Sequence, residues 1–143
     1  MPAKYVFDSN VYIRCFLDTE FAPEHADRYV RFLPATFFAS VVAQELLIGC
    51  TNDLAIRRVQ NLCRPFERVG RVVNPTYADW KEAALVAVRI TRKRPDLVSK
   101  RVALVNDILI ALCCRKIGAI VVTLNVRDFE VIRGIVSFRF ERF

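Results

Sequence analysis

Apolar residues along this chain follow two rhythms: short unbroken runs, and longer stretches in which they recur every three or four positions. KYVF reads as a short buried strand and SNVYIRCFLD as the helix after it. A second helix is expected from His25 to Leu33, stopped by Pro34. ATFFAS has β character and feeds SVVAQELLIGC, a helix closed by Gly49. From about Asp53 an amphipathic helix brings Ile56, Val59, Cys63 and Phe66 to one face. VGRVV is a short strand or extended connector. Thr76 then opens a long helix, with Asp79 three residues on in capping-box position. Its apolar face is expected to be Trp80, Ala84, Ala87 and Val88, and Pro95 ends it. NDILIALCCRKI is apolar almost all round, which marks a central helix. AIVVTL has the continuous β-branched run of a buried parallel strand; NVRDFEVIR reads as helix and VSFRF as a last, alternating strand.

Strands that alternate with helices predict an α/β sandwich around a mostly parallel sheet. In open sheets of that kind, ligands bind beyond the carboxyl ends of the strands. Asp8, and the pair Asn125 and Asp128, directly follow apolar strands, so they are expected to share that edge.

At 143 residues, 54% of them hydrophobic, the chain is expected to fold as one domain spanning 1–143. No apolar stretch is long enough to span a bilayer, and the N-terminus lacks a signal-peptide pattern, which predicts a cytoplasmic protein. The cysteines (15, 50, 63, 113, 114) are odd in number, form no C-x-x-C pair and lie in apolar or helical stretches. They are read as reduced core residues. With His25 the only histidine, a His-rich zinc site is excluded. The four glycines compose neither a Walker loop nor a dinucleotide-binding loop. Lysine and arginine total 22 against 15 acids, a net charge of +7 that points to a phosphate-bearing partner. The densest cluster, Arg89, Arg92, Lys93, Arg94, Lys100 and Arg101, is either a nucleic-acid surface or a solvated helix end whose cations complement the dipole.

Each acid has a plain explanation beside a chemical one. Asp8 is a favoured helix N-cap, and Asn125 with Asp128 approximates a capping box. Asp107 reads as the start of a helix, but one so apolar that even its first turn is expected to face protein or a cleft. Glu45 shares its helical face with Val41, Val42 and Ile48, the stripe that packs inward, and has no basic partner four residues away. A buried carboxylate must be paired, hydrogen-bonded or bound to a metal. Four acids near one sheet edge, with no His or Cys beside them, suit a hard cation such as Mg²⁺ or Mn²⁺. An acidic cleft on a basic protein fits metal-dependent hydrolysis of a nucleic acid backbone.

In order along the chain, FDSNVYI, SVVAQEL, NDILIA and TLNVRDF resemble the four motifs of PIN-domain ribonucleases, and within them the bacterial VapC-type toxins of toxin–antitoxin pairs. The resemblance runs from Tyr5 to about Phe138. It implies a PIN-like three-layer sandwich. It also implies Asp8, Glu45, Asp107 and Asp128 as the catalytic acids, with Asp8, Asp107 and Asp128 holding the metal. Many members carry Asp where this chain has Asn125, which here becomes a neutral polar position. Ser9, Asn10 and Thr123 match small polar positions that support the site. The implied activity is Mg²⁺- or Mn²⁺-dependent endoribonuclease action, often on structured RNA such as tRNA. Water attacks phosphorus in line and leaves 5′-phosphate and 3′-hydroxyl ends. Implied partners are a second copy of the chain and a cognate antitoxin, often with an Arg that enters among the acids. Arg92, Lys93, Arg94, Lys100 and Arg101 are the candidate RNA-binding cations.

Two other acid-after-strand families fit poorly. A phosphoaspartate receiver needs an acidic pair and a late Lys, and a haloacid-dehalogenase-type phosphatase needs D-x-D where this chain has Asp8-Ser9-Asn10. A catalytically silent PIN scaffold that binds RNA or protein is the alternative from another class. A housekeeping RNA-processing nuclease differs only in context.

Overall fold

The computed structural model describes residues 2–17 and 23–143. Strands β1 (Lys4–Phe7), β2 (Thr36–Ala39), β3 (Val72–Val73), β4 (Ala119–Thr123) and β5 (Arg139–Arg142) form one sheet in the order β3-β2-β1-β4-β5. Every pairing is parallel, so the sheet is wholly rather than mostly parallel. Phe7 lies opposite Val122, and Val6 opposite both Phe37 and Val121. The chain winds outward from β1 in one direction through β2 and β3, then returns to the other side of β1 with β4. The topological switch therefore falls between β1 and β4, and ligands of such sheets bind at the carboxyl end of that junction.

Helices α1 (Ser9–Tyr12), α2 (Pro23–Phe32), α3 (Ser40–Ile48), α4 (Asp53–Arg68), α5 (Tyr77–Lys93), α6 (Arg101–Ile117) and α7 (Val126–Arg133) flank the sheet. The expected helix SNVYIRCFLD stays α-helical only to Tyr12 and widens to a π-type turn over Ile13–Leu17; Asp18 lies outside the described residues. Helix α6 is the central one. It packs on α5, β4, β1 and α7, and Ile108 through Cys114 are all buried. All five cysteines are free thiols.

Three local expectations need correction. Helix α6 starts at Arg101, not at Asn106, because the helix-compatible RVALV extends it backward from a 3₁₀ segment at Pro95–Lys100. Asp107 thus lies inside the helix, where no orphan amide asks for a cap. On α5 the buried face is Ala83, Val86, Ala87 and Ile90, whereas Trp80, Ala84 and Val88 are exposed. Helix α5 packs on α6, and that contact sets which of its faces is covered. The capping box of Thr76 and Asp79 forms as expected. The last strand is Arg139–Arg142, displaced toward the C-terminus from VSFRF and largely exposed as an edge strand. No helix among the described residues is long and apolar enough to cross a membrane.

Candidate active site

Strand β1 ends one residue before Asp8, whose amide continues the ladder by donating to the Val122 carbonyl (2.9 Å). That contact fixes Asp8 at the mouth of the β1–β4 junction. Its Oδ1 accepts from the Ser9 amide (2.8 Å), so the residue is indeed the cap of α1. Its Oδ2 accepts from the Thr123 hydroxyl (2.8 Å) and from Asn10 Nδ2 (3.0 Å). Thr123 is fully buried and its hydroxyl also accepts from the Asn125 amide (2.9 Å). Asn10 closes the ring by accepting from the Leu124 amide (3.1 Å). Burial still pushes the Asp8 carboxyl up, against the opposing pull of the Thr123, Ser9 and Asn10 hydrogen bonds.

Glu45 comes from α3, the helix that β2 delivers to the same edge. Its Oε1 is buried with no hydrogen-bond partner among the described residues. Desolvation first, and then the charge of Asp8, push its pKa up to about 7, with Ser9 opposing. Asp107, from α6, is 8% exposed, and among the described residues no group donates a hydrogen bond to its carboxyl. Burial followed by the charges of Asp8, Glu45 and Asp128 raises it to about 9. Asp107 thus feels the other three acids, although they come from the end of β1, from α3 and from α7. The three ion pairs among the described residues, Arg94–Asp96, Arg115–Glu82 and Lys116–Asp79, include none of the four.

Asp128 lies in the first turn of α7, and its Oδ2 accepts from Asn125 Nδ2 (2.7 Å). Asn125 makes no capping bond to the helix backbone, so the capping-box explanation does not describe this pair. The neutral amide instead orients the charged residue. Asp128→Ala is therefore expected to lower nuclease activity more than Asn125→Ala does. With Asp128 as the metal ligand expected from the sequence, Asn125→Ala should cost about the 10–100-fold typical of a group that holds such a ligand. Parallel rate measurements on the two variants check this, and the reverse order would reassign the fourth position to Asn125.

The donor set is chemically that of a hard cation: carboxylate oxygens with amide and hydroxyl support, free of sulfur or imidazole. The unpartnered Glu45 oxygen and the Asp107 carboxyl are compatible with such a cation. Among the described residues, no three acid, cysteine or histidine side chains are yet drawn together closely enough to enclose an ion.

The basic cluster lies at the ends of α5 and the start of α6. Arg94 is held by Asp96 through two hydrogen bonds (3.1 and 2.9 Å), and Arg101 reaches back to the Thr91 hydroxyl (3.5 Å). Arg92, Lys93 and Lys100 are exposed. Arg127 is exposed on α7, next to Asp128 in the chain.

A family model for the PIN domain matches residues 5–135. Among solved structures, the chain is similar to the DNA-bound VapBC of Salmonella typhimurium, with a TM-score of 0.60 and 25% identity over 99% of this chain and 98% of that one. VapBC-1 of nontypeable Haemophilus influenzae gives a TM-score of 0.64 at 20% identity over 96% of each chain. FitAcB of Neisseria gonorrhoeae gives 0.67 at 12% identity over 95% of each. At these last two identities the likeness is one of fold. Among curated proteins, none matches the chain in sequence.

Proposed function

The chain belongs to the PIN-domain family, and from that premise we propose that it is a Mg²⁺- or Mn²⁺-dependent endoribonuclease, the toxin of a toxin–antitoxin pair. One observation carries the reading. Asp8, Glu45 and Asp107 lie close enough at the switch point to raise one another's proton affinity, with Asp128 adding to Asp107, and among the described residues no ion pair neutralises them. A divalent cation bound there would offset charge on the phosphoryl oxygens and make water a better nucleophile. Asp8, Asp107 and Asp128 would hold it. Thr123, Asn10 and Ser9 keep Asp8 in a single orientation, and Asn125 does the same for Asp128. The exposed cations of α5 and of the Pro95–Lys100 segment attract the RNA backbone.

Purified protein and a labelled RNA test the proposal. Cleavage should need Mg²⁺ or Mn²⁺, stop with EDTA and leave 5′-phosphate and 3′-hydroxyl ends. RNA binding without cleavage under every metal tried would leave the silent scaffold. Glu45→Gln keeps the side-chain volume, so it should weaken Mn²⁺ binding with the melting midpoint unchanged or raised. A large loss of stability would instead make Glu45 a structural residue.

An antitoxin is the proposed protein partner, and the surface beside Glu45 suits one. A hollow of about 360 Å³ lined by Ile13, Glu45, Leu46, Cys50 and Leu54 shares Arg58 with a larger apolar groove of about 640 Å³. The larger groove, floored by Tyr29, Leu62 and Phe66, lies away from the acids and so suits a protein segment rather than the scissile RNA. A second copy of the chain is the other proposed partner, and the exposed Tyr77, Trp80, Leu85 and Val88 on α5 offer it an apolar face. The cytoplasm is the proposed compartment, and whether a small antitoxin is encoded immediately upstream separates the toxin reading from a housekeeping nuclease.

A further inference from the structure

The hollow beside Glu45 differs in kind from the larger groove it adjoins. It measures about 360 Å³, within the roughly 300–1,000 Å³ of sites that take small organic molecules. Ile13, Leu46 and Leu54 give it apolar walls, and Ile13 and Leu54 stand about half exposed. Its polar lining is rich in donors. Asn52 caps α4 by accepting from the Ala55 amide through Oδ1 (2.9 Å), which leaves its Nδ2 to donate elsewhere. Thr51 adds a hydroxyl, and Arg58 is exposed and takes no part in the three ion pairs among the described residues. Glu45 is the one acid in the lining, and it belongs to the catalytic cluster as well. The helix that carries it, α3, packs on α1 and α6, which follow Asp8 and hold Asp107. An occupant of the hollow therefore lies directly beside the acids.

We propose that this hollow receives the nucleobase next to the bond that is cut, and that Arg58 and Asn52 make guanine the preferred base. This rests on the ribonuclease reading of the acids and adds a sequence preference to it. Single-stranded RNA can splay a base out of its stack and present both its faces and its polar edge. A base is flat, apolar on its faces and uncharged, so it suits apolar walls beside a carboxylate. A backbone phosphate does not, because Glu45 would repel it and the walls could not solvate it. The donors then discriminate between bases. Guanine carries two acceptors, O6 and N7, on one edge, which the paired N–H groups of an arginine match. Adenine sets an amino donor beside its N7, where Arg58 would meet donor with donor. Neither Arg58 nor Asn52 touches the reacting atoms; they decide which bond is brought to the acids.

The test uses short single-stranded RNAs: a uridine tract with one central guanosine, and the same tract with adenosine or 7-deazaguanosine in its place. With Mn²⁺, the wild-type protein should cut at one fixed bond beside guanosine. Its kcat/KM there should exceed that for the adenosine RNA by about 5- to 150-fold, the discrimination of one bidentate pair. The 7-deaza base lacks N7 and should lose most of that advantage. Arg58→Gln should bring the ratio close to one, and Arg58→Lys, which still offers donors to O6 and N7, should keep part of it. Arg57→Gln, exposed on the same helix but outside the hollow, should leave the ratio as in the wild type. A second readout needs no cleavage. In the metal-free protein, millimolar guanosine should shift the NMR signals of the Asn52 side-chain amide, the Gly49 amide and Arg58 Nε more than uridine does. Cleavage with a ratio near one and no such shifts would overturn the base site alone and leave the hollow to the protein partner. A guanosine advantage that survives Arg58→Gln would overturn the role of Arg58. RNA left uncut with every metal, while guanosine still shifts those signals, would overturn the ribonuclease reading and keep the hollow as a base site.

Discussion

Asp107→Asn is expected to abolish metal-dependent RNA cleavage and, in the same protein, to raise the melting midpoint measured without metal. The two effects share one cause. Asp107 is buried in α6, accepts no hydrogen bond among the described residues, and feels three other acids, so its charge destabilises the metal-free fold. Asparagine has the same shape and no charge to desolvate. Catalysis loses what the fold gains, because the carboxylate that repels its neighbours is the one that would attract the cation. Loss of about 4 kcal/mol of transition-state stabilisation, within the several-kcal/mol scale of cation catalysis, is about a thousandfold in rate. Asp8→Asn should also abolish cleavage. It should gain less stability, since Asp8 already accepts hydrogen bonds from Ser9, Thr123 and Asn10. Wild-type rates in either variant would show that the four acids are separate structural residues.

The second large effect is a pH dependence opposite to ordinary acid denaturation. A carboxyl whose pKa is raised on folding keeps its proton in the folded state where the unfolded chain has lost it. Such a group favours folding fully below its unfolded value near 4, and that contribution is lost as pH rises through the folded value. Glu45, at about 7, and Asp107, at about 9, both behave this way, and Asp8 is shifted in the same direction. Asp79, raised by desolvation but lowered on balance by its Lys116 and Thr76 hydrogen bonds, loses its contribution only at more acid pH and does not act in this window. The metal-free midpoint should therefore fall between pH 5 and 8.5, by an amount on the order of 5 °C for a chain this size. Mn²⁺ at ten times its Kd should add about 1.4 kcal/mol of stability. It should recover most of the loss at pH 8 and do little at pH 5, where protonated carboxyls bind cations weakly. Calorimetry at the two pH values, with Mn²⁺ and with EDTA, checks all four conditions. A midpoint flat in pH and unmoved by Mn²⁺ would contradict the electrostatic account of the site.

Order of elements, the strand that delivers each acid and the parallel sheet were legible in the sequence, since they follow from local apolar periodicity. AIVVT could only be a buried strand, and the residue after KYVF had to appear at its carboxyl end. Glu45 was legible only in part: Val41 and Val42 on its face are buried as expected, but Ile48 is exposed and Glu45 itself half-buried, so the stripe packs inward only over the first turn of α3. Other features depended on which surfaces meet. Nothing in the periodicity of α5 distinguishes Trp80 and Val88 from Ala83 and Val86 as the buried face. Packing against α6 decides that. The start of α6 depended on the 3₁₀ segment before it. Placement at Asp107 therefore removed the capping role that the sequence allowed and left a buried charge without a local purpose. The relation between Asn125 and Asp128 likewise needed coordinates, since a cap and an amide that orients a carboxylate share one three-residue spacing. Local sequence determines what each segment can become and which edge it reaches. Only tertiary packing determines which of those charges end up beside one another, because electrostatic repulsion acts through space between residues far apart in the chain.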